Sequence, residues 1–158
     1  MSRFTAQVEV QAPADVVWER VTDWRAHERW IPLTRVTILT AQHTGIGARF
    51  VARTGIGPLA VDDVMEVTSW APPSEGLPGR CEVVKQGRVV HGGAQIEVWN
   101  LGAAGSPPSR SLVHWSEDLA VAPERLTRLA GPLIAAAGRA GLVRALRIMA
   151  REFESGEP

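Results

Sequence analysis

The chain has 158 residues, the length of one domain, and its 17 basic and 17 acidic side chains give a formal net charge of zero. A balanced chain lacks the basic excess of a nucleic-acid binder, so we predict no nucleic-acid partner. Its single cysteine excludes an intrachain disulfide, and its first residues lack the apolar core of a signal peptide. We therefore expect a cytoplasmic protein that forms a single domain over residues 1–158.

The first predicted elements are a strand and two short helices. Phe4 to Val10 alternates apolar and polar residues, as half-buried strands do. Pro13 suits the start of a helix, where its missing N–H is harmless. Asp23 can cap a second short helix, which Pro32 ends. This second segment, DWRAHERWIP, carries two tryptophans in an otherwise polar run.

The middle of the chain reads as a series of strands joined by short turns. Glycine and proline turn signals separate the segments, and the stretch 102–108 between the last two is predicted as a loop. Short connections between consecutive strands indicate antiparallel hairpins and a meandering sheet. The six strand-like segments are Leu33–Thr40, Ala48–Thr54, Leu59–Ser69, Arg80–Gln86, Val89–Asn100 and Ser111–Ala122.

The last predicted element is a long helix from Glu124 to about Phe153, roughly 45 Å at 1.5 Å per residue. Pro132 lies inside it and predicts a kink or a short preceding turn. The apolar run from Leu133 to Leu146 is too short to cross a bilayer and contains arginines, so we predict no stable membrane insertion. The predicted apolar stripe of the helix is Leu126, Leu129, Leu133, Ala136, Ala137, Ala140, Val143, Leu146 and Phe153.

Three segments together resemble the START-like or SRPBCC superfamily, which includes polyketide cyclases/dehydrases, lipid-transport proteins and birch-pollen-allergen-like carriers. They are VEVQAPADVVW at residues 8–18, the DW…WIP segment at residues 23–32, and MEVTSWAPP at residues 65–73. The resemblance spans nearly the whole chain. It implies an α+β helix-grip fold, in which a seven-stranded curved antiparallel sheet surrounds a long C-terminal helix. Two short helices lie between strands 1 and 2.

Two functions follow from this resemblance. The first is binding of a hydrophobic small molecule, such as a polyketide, lipid or isoprenoid, in a cavity between the sheet and the C-terminal helix. Small residues in the middle of that helix, from Ala135 to Gly141, would leave room for such a ligand. The alternative is a polyketide cyclase/dehydratase-like enzyme that acts on a poly-β-keto or related aromatic precursor. Neither function calls for a cofactor, and the oligomeric state stays open.

Two carboxylates interrupt the predicted inner face of the sheet. By strand alternation Asp63 lies among Leu59, Val61, Met65 and Val67, and Glu117 lies between Trp115 and Leu119. An isolated carboxylate on an apolar face is costly. Asp63 and Glu117 therefore either orient a ligand and exchange protons, or pair with an arginine such as Arg53, Arg88 or Arg110. A direct pair is not expected, because their strands lie three positions apart, about 14 Å.

The other candidates are mainly apolar and aromatic. DWRAHERWIP is either a gate beside the cavity mouth or simple core packing. His91 faces outward by alternation unless Gly92-Gly93 forms a bulge, and Cys81 reads as a small buried hydrophobe. No spacing suggests a metal site. The predicted ligand-binding residues are Trp24, Trp30, Phe50, Val61, Asp63, Met65, Cys81, His91, Trp115, Glu117, Leu133 and Ala137, and no catalytic residue is assigned.

The long helix carries a third possible function on its surface. Its arginines could contact an acidic partner, or they could simply form a solvated helix face. They are Arg125, Arg128, Arg139, Arg144, Arg147 and Arg151.

Overall fold

The fold is an α+β helix grip, as predicted. The computed structural model describes residues 1–102 and 109–156, without the side chains of residues 124, 126 and 127, so most of the predicted loop at 102–108 lies outside the described residues. Two short 3₁₀ turns occur at Trp24–Ala26 and Gly57–Leu59. The helices are α1 Ala14–Val21, α2 His27–Trp30 and α3 Glu124–Ser155. The strands are β1 Ser2–Val10, β2 Thr34–Ile38, β3 Arg49–Thr54, β4 Val61–Ala71, β5 Gly79–Gln86, β6 Val90–Asn100 and β7 Ser111–Val121.

The seven strands form one antiparallel sheet in the order β1-β7-β6-β5-β4-β3-β2. This order confirms the predicted meander, with β1 added beside β7. At the β2 edge the Glu28 carboxylate accepts a hydrogen bond from the Val36 N–H at 2.6 Å, which satisfies a donor that no neighbouring strand pairs. The other edge strand, β1, packs against α3. Both edges are therefore occupied by other parts of the chain.

The helices that follow β1 close one end of the sheet. Trp18 of α1 is buried and meets Trp70 edge to face, with ring centroids 5.0 Å apart. Gly79, at the start of β5, allows this packing, because a Cβ there would lie 2.6 Å from the Trp18 ring. Asp23 caps the next turn as predicted, accepting a hydrogen bond from the Arg25 N–H at 3.2 Å.

The long helix α3 packs against β1 unevenly. Gly138 lies over Phe4 so closely that a Cβ would come within 2.5 Å of its ring, while Leu142, Leu146 and Met149 are buried in the core. The helix continues through Pro132 without the predicted preceding turn. No helix among residues 1–102 and 109–156 is long and apolar enough to span a bilayer.

Two predicted apolar faces, one on α3 and one at β4, are partly wrong, because some of their residues are exposed. Leu129 and Leu133 are 83% and 75% exposed, and Ala136, Ala137 and Ala140 are also exposed. The buried side of α3 is instead the side that faces β1. Gly131 and Gly138 let this side of the helix approach β1 closely. Leu59 is 86% exposed, because the Gly57–Leu59 turn ends before β4 begins.

The C-terminal end of α3 is fixed to the other helices by one carboxylate. Glu152 accepts hydrogen bonds from Arg20 at 2.7 Å, from Arg29 at 3.0 Å and from the Trp30 indole at 2.9 Å. Burial alone would raise the pKa of Glu152, but these hydrogen bonds outweigh it and hold the pKa at about 2. A single side chain thus joins α1, α2 and α3.

We expect Glu152→Gln to lower the free energy of unfolding by about 2 kcal/mol at pH 7, because the amide replaces a charged acceptor for two guanidinium groups. The folded pKa of about 2 lies below the ordinary value of 4.5, so the carboxylate contributes fully above pH 4.5. The difference between wild type and variant should shrink as the pH falls from 4.5 towards 2. Urea denaturation at several pH values measures it.

Glu154→Gln is the matched control, since Glu154 is exposed on the same helical turn. Equal losses in both variants, or a Glu152→Gln effect that does not depend on pH, would contradict the role given to Glu152.

Candidate ligand-binding site

The concave face of the sheet contains one buried ion cluster. Lys85 of β5 places its Nζ 2.5 Å from Asp63 Oδ2 on β4 and 3.5 Å from Glu117 Oε2 on β7. The Met65 sulfur lies 3.8 Å from the same Nζ, and the Trp115 indole N–H donates to Glu117 Oε1 at 3.2 Å. The Lys85 side chain is only 6% exposed. Lys85 is also the sole lysine of the chain.

The strand between Lys85 and Glu117 leaves space for this cluster. Lys85 pairs with Gly92 of β6, and Glu117 pairs with Ala94, so the intervening strand presents almost no side chain. A Cβ on Gly92 would lie 2.0 Å from the Asp118 carbonyl oxygen, so only glycine fits there. The long lysine side chain can therefore reach across β6 to the next strand.

The carboxylates keep Lys85 charged despite its burial. Burial alone would lower the pKa of Lys85, but the charges of Glu117 and Asp63 and their hydrogen bonds together raise it above the ordinary value. An ammonium at neutral pH can donate hydrogen bonds and stabilise negative charge, but it cannot attack a carbonyl carbon. The cluster is thus an electrostatic site with two acceptor groups.

Besides Asp118 Oδ1, whose companion oxygen pairs with Arg3, two buried polar atoms have no hydrogen-bond partner among the described residues. One is Asp63 Oδ1, the acceptor that Lys85 does not use, and the other is the Trp24 indole nitrogen, a donor. Trp24 stacks on Phe50, with ring centroids 4.5 Å apart, and Phe50 pairs with Met65 on the strand that carries Asp63. Buried polar groups are usually paired, so this donor and this acceptor depart from the usual pattern.

His27 lies beside this cluster as a neutral imidazole. Its pKa is lowered to about 4, mainly by burial and in small part by the charge of Lys85, while the hydrogen bond with Val21 and the charge of Asp23 act in the opposite direction. Since the neutral ring carries one proton and lies 2.9 Å from the Val21 carbonyl oxygen, that proton belongs on Nε2. Nδ1 is then a hydrogen-bond acceptor. The ring packs among Trp24, Trp30 and Trp115.

The structure brings several predicted site residues together. Asp63, Met65 and Glu117 contact Lys85, while Phe50 and Trp115 flank them. Asp63 and Glu117 do not pair directly, and the cation between them is a lysine instead of the arginines considered from the sequence. Arg53 pairs with Asp62 and Arg110 with Glu9.

Both tryptophans of the DWRAHERWIP segment are packed into the core. Trp24 and Trp30 are each 2% exposed, and Trp30 is tied to Glu152. This burial favours core packing over a gate. An open groove of about 360 Å³ lies over the segment, and its lining includes Trp18, Trp24 and Trp70.

Other predicted site residues lie apart from the cluster. Leu133 and Ala137 are exposed on α3, because the helix turns its opposite side to β1, and Val61 is half-buried at the start of β4. The ladder runs through Gly92-Gly93 without a bulge and pairs His91 with Gln86, so His91 faces outward, as alternation predicts, on the side of the sheet opposite Lys85. Cys81 is buried, and burial followed by the charge of Glu82 raises the pKa of its thiol to about 12.

Two residues of the site, Lys85 and His27, were not predicted from the sequence. Lys85 has a visible signal, since it is the only lysine and shares the inward parity of Cys81 and Val83. His27 has none, because its burial depends on where a short helix docks. No three His, Cys, Asp or Glu side chains of the described ranges form a group that could hold a metal ion.

Comparisons with known proteins agree with this architecture. Residues 1–154 match the family described as polyketide cyclase / dehydrase and lipid transport. The Zhui aromatase/cyclase from Streptomyces sp. R1128 is 18% identical with a TM-score of 0.70, over 96% of this chain and 93% of that one. A START superfamily protein from Mycobacterium smegmatis is 19% identical with a TM-score of 0.66, over 96% and 99%.

A further likeness is to a protein of Thermobifida fusca, which is 22% identical with a TM-score of 0.65, over 99% of this chain and 96% of that one. No curated protein matches the sequence. Likeness at these identities concerns the fold, whereas the family match covers nearly the whole chain. The chain belongs to the polyketide cyclase/dehydrase and lipid transport family.

Proposed function

We propose that the protein binds a hydrophobic small molecule with an oxygen-bearing end, held against the Lys85 cluster on the concave face of the sheet. The observation that carries the proposal is the buried cluster itself, with an unpaired acceptor on Asp63 and an unpaired donor on Trp24. A ligand hydroxyl can donate to Asp63 Oδ1, and a ligand oxygen can accept from the Trp24 indole. The surrounding valine, phenylalanine and tryptophan side chains suit the apolar remainder.

We expect the protein to bind 2-naphthol more tightly than naphthalene, and Asp63→Asn to lower the affinity for 2-naphthol roughly tenfold. In the variant the single amide oxygen stays with Lys85, and the amide nitrogen offers a donor where the hydroxyl needs an acceptor. The affinity for naphthalene should change less than about twofold, because it has no hydroxyl. Fluorescence titration measures both constants.

Asp62→Asn is the matched control, since Asp62 is the preceding residue on the same strand and its side chain is about half exposed beside Arg53. Equal affinities of wild type for both probes would contradict the polar anchoring. A failure to bind either probe, together with an empty protein in native mass spectrometry, would contradict binding altogether.

A second function, a cyclase/dehydratase-like activity, is favoured by the position of a charged ammonium beside a free carboxylate oxygen. Asp63 Oδ1 can remove a proton from carbon next to a ketone, and Lys85 can stabilise the enolate oxygen. The enolate carbon would then bond to a second carbonyl carbon of the same chain. The alkoxide formed would take up the proton, and elimination of water would leave a conjugated ring.

We expect this activity to include proton removal from a simple ketone. The protein should accelerate deuterium exchange of the acetophenone methyl group in D₂O, followed by proton NMR. Asp63→Asn should reduce the acceleration roughly a hundredfold, as loss of a general base does. Unchanged acceleration in Asp63→Asn would exclude Asp63 as the base, and no acceleration by wild type would leave binding as the function.

We also expect Lys85 not to form an imine. With an aromatic aldehyde and cyanoborohydride at pH 7, peptide mass mapping should find label on the terminal amine but not on Lys85, because its amino group stays protonated. Labelling of Lys85 at a rate similar to that of the terminal amine would contradict the charged state assigned to it.

A further inference from the structure

The outer side of α3 has a charge pattern that the rest of the molecule lacks. Residues 125–151 contain six arginines and no acidic residue, which leaves the remainder of the neutral chain with an acidic excess. All six are exposed, and none forms an ion pair with a described side chain. Among the described side chains, the helix therefore presents a basic surface without ion-pair partners.

Apolar side chains lie on the same line along this helix. Positions 129, 133, 136, 140, 144, 147 and 151 follow each other at spacings of three and four, so they form one straight outer stripe. All seven are exposed. The first half carries Leu129, Leu133 and two alanines, and the second half carries three arginines. This outer stripe is therefore apolar in its first half and basic in its second half.

More apolar side chains are exposed at the same end of the sheet as the end of β7, from which the chain enters α3. The antiparallel register brings the start of β2, the β3–β4 turn, the end of β5 and the end of β7 to one end of the sheet. Leu33, Ile56 and Leu59 are 64%, 70% and 86% exposed there, and the Leu33 carbonyl accepts from the Gly55 N–H at 3.0 Å. Lys85 is the penultimate residue of β5, so the buried cluster lies towards this end.

We propose that the outer stripe docks on the surface of an anionic lipid bilayer, with Leu129 and Leu133 inserted among the acyl chains and the arginines against the headgroups. Exposed leucines beside unpaired basic residues match the apolar and anionic layers of such a surface. A second copy of the chain would bring two basic stripes together, and a nucleic acid offers no apolar layer for the leucines. The proposal does not depend on the function of the Lys85 cluster.

Vesicle binding by the full-length protein tests this proposal. We expect co-sedimentation with vesicles of phosphatidylcholine and phosphatidylglycerol at 7:3, weak co-sedimentation with pure phosphatidylcholine, and release at high salt. Arg144→Gln/Arg147→Gln/Arg151→Gln should lower the partition coefficient roughly a hundredfold. Leu129→Ser/Leu133→Ser should lower it at least about tenfold, since the leucines supply the inserted area.

The double variant Arg25→Gln/Leu77→Ser is the control, because it removes an exposed arginine and a 67% exposed leucine near the other end of the sheet. It should bind as wild type does. The proposal fails if wild type does not bind anionic vesicles, or if the control loses as much binding as the stripe variants. Binding to polyglutamate but not to vesicles would assign the stripe to an acidic protein. A dimer abolished by Leu129→Ser/Leu133→Ser would assign it to a second copy.

Discussion

A charged amino group inside a protein needs other charges to replace the water that it gives up, and Lys85 meets this need with two carboxylates. Each of the three groups lies on a different strand, so the cluster exists only when β4, β5 and β7 are in register. Apolar residues of similar size would often stabilise a sheet as well as a buried ion cluster does. The triad of one cation and two carboxylates is therefore not required for packing, and one of its carboxylate oxygens has no hydrogen-bond partner among the described residues.

Because the sheet is curved, it has a concave face that other parts of the chain must cover. A helix can fill only part of such a face, and α3 packs mainly along β1 and against α2. The aromatic residues Trp24, Trp30 and Phe50 fill the region near β2 and β3, with His27 held neutral among them. The polar groups of the Lys85 cluster are largely buried, which strengthens their interactions with one another.

The two halves of α3 have different environments, and each can be traced to sequence. Leu142, Leu146 and Met149 bury one side of the C-terminal half, and Glu152 joins its end to three partners on α1 and α2. In the N-terminal half, glycines at 131 and 138 bring the backbone close to β1, so the leucines are on the opposite side. One end is thereby fixed by charge and packing, while the other presents apolar surface outward.

The sequence by itself determined the order of elements and the inward parity of the strands. Alternation placed Asp63 and Glu117 on the inner face, and glycine and proline marked the turns, because these signals act between neighbouring residues. Only the tertiary structure decided that Lys85 joins those carboxylates, that His27 is buried, and that Leu129 and Leu133 face outward. These outcomes depend on contacts between residues far apart in the chain and on the rotation of α3 about its axis. Local sequence patterns encode neither these long-range contacts nor the rotation of α3.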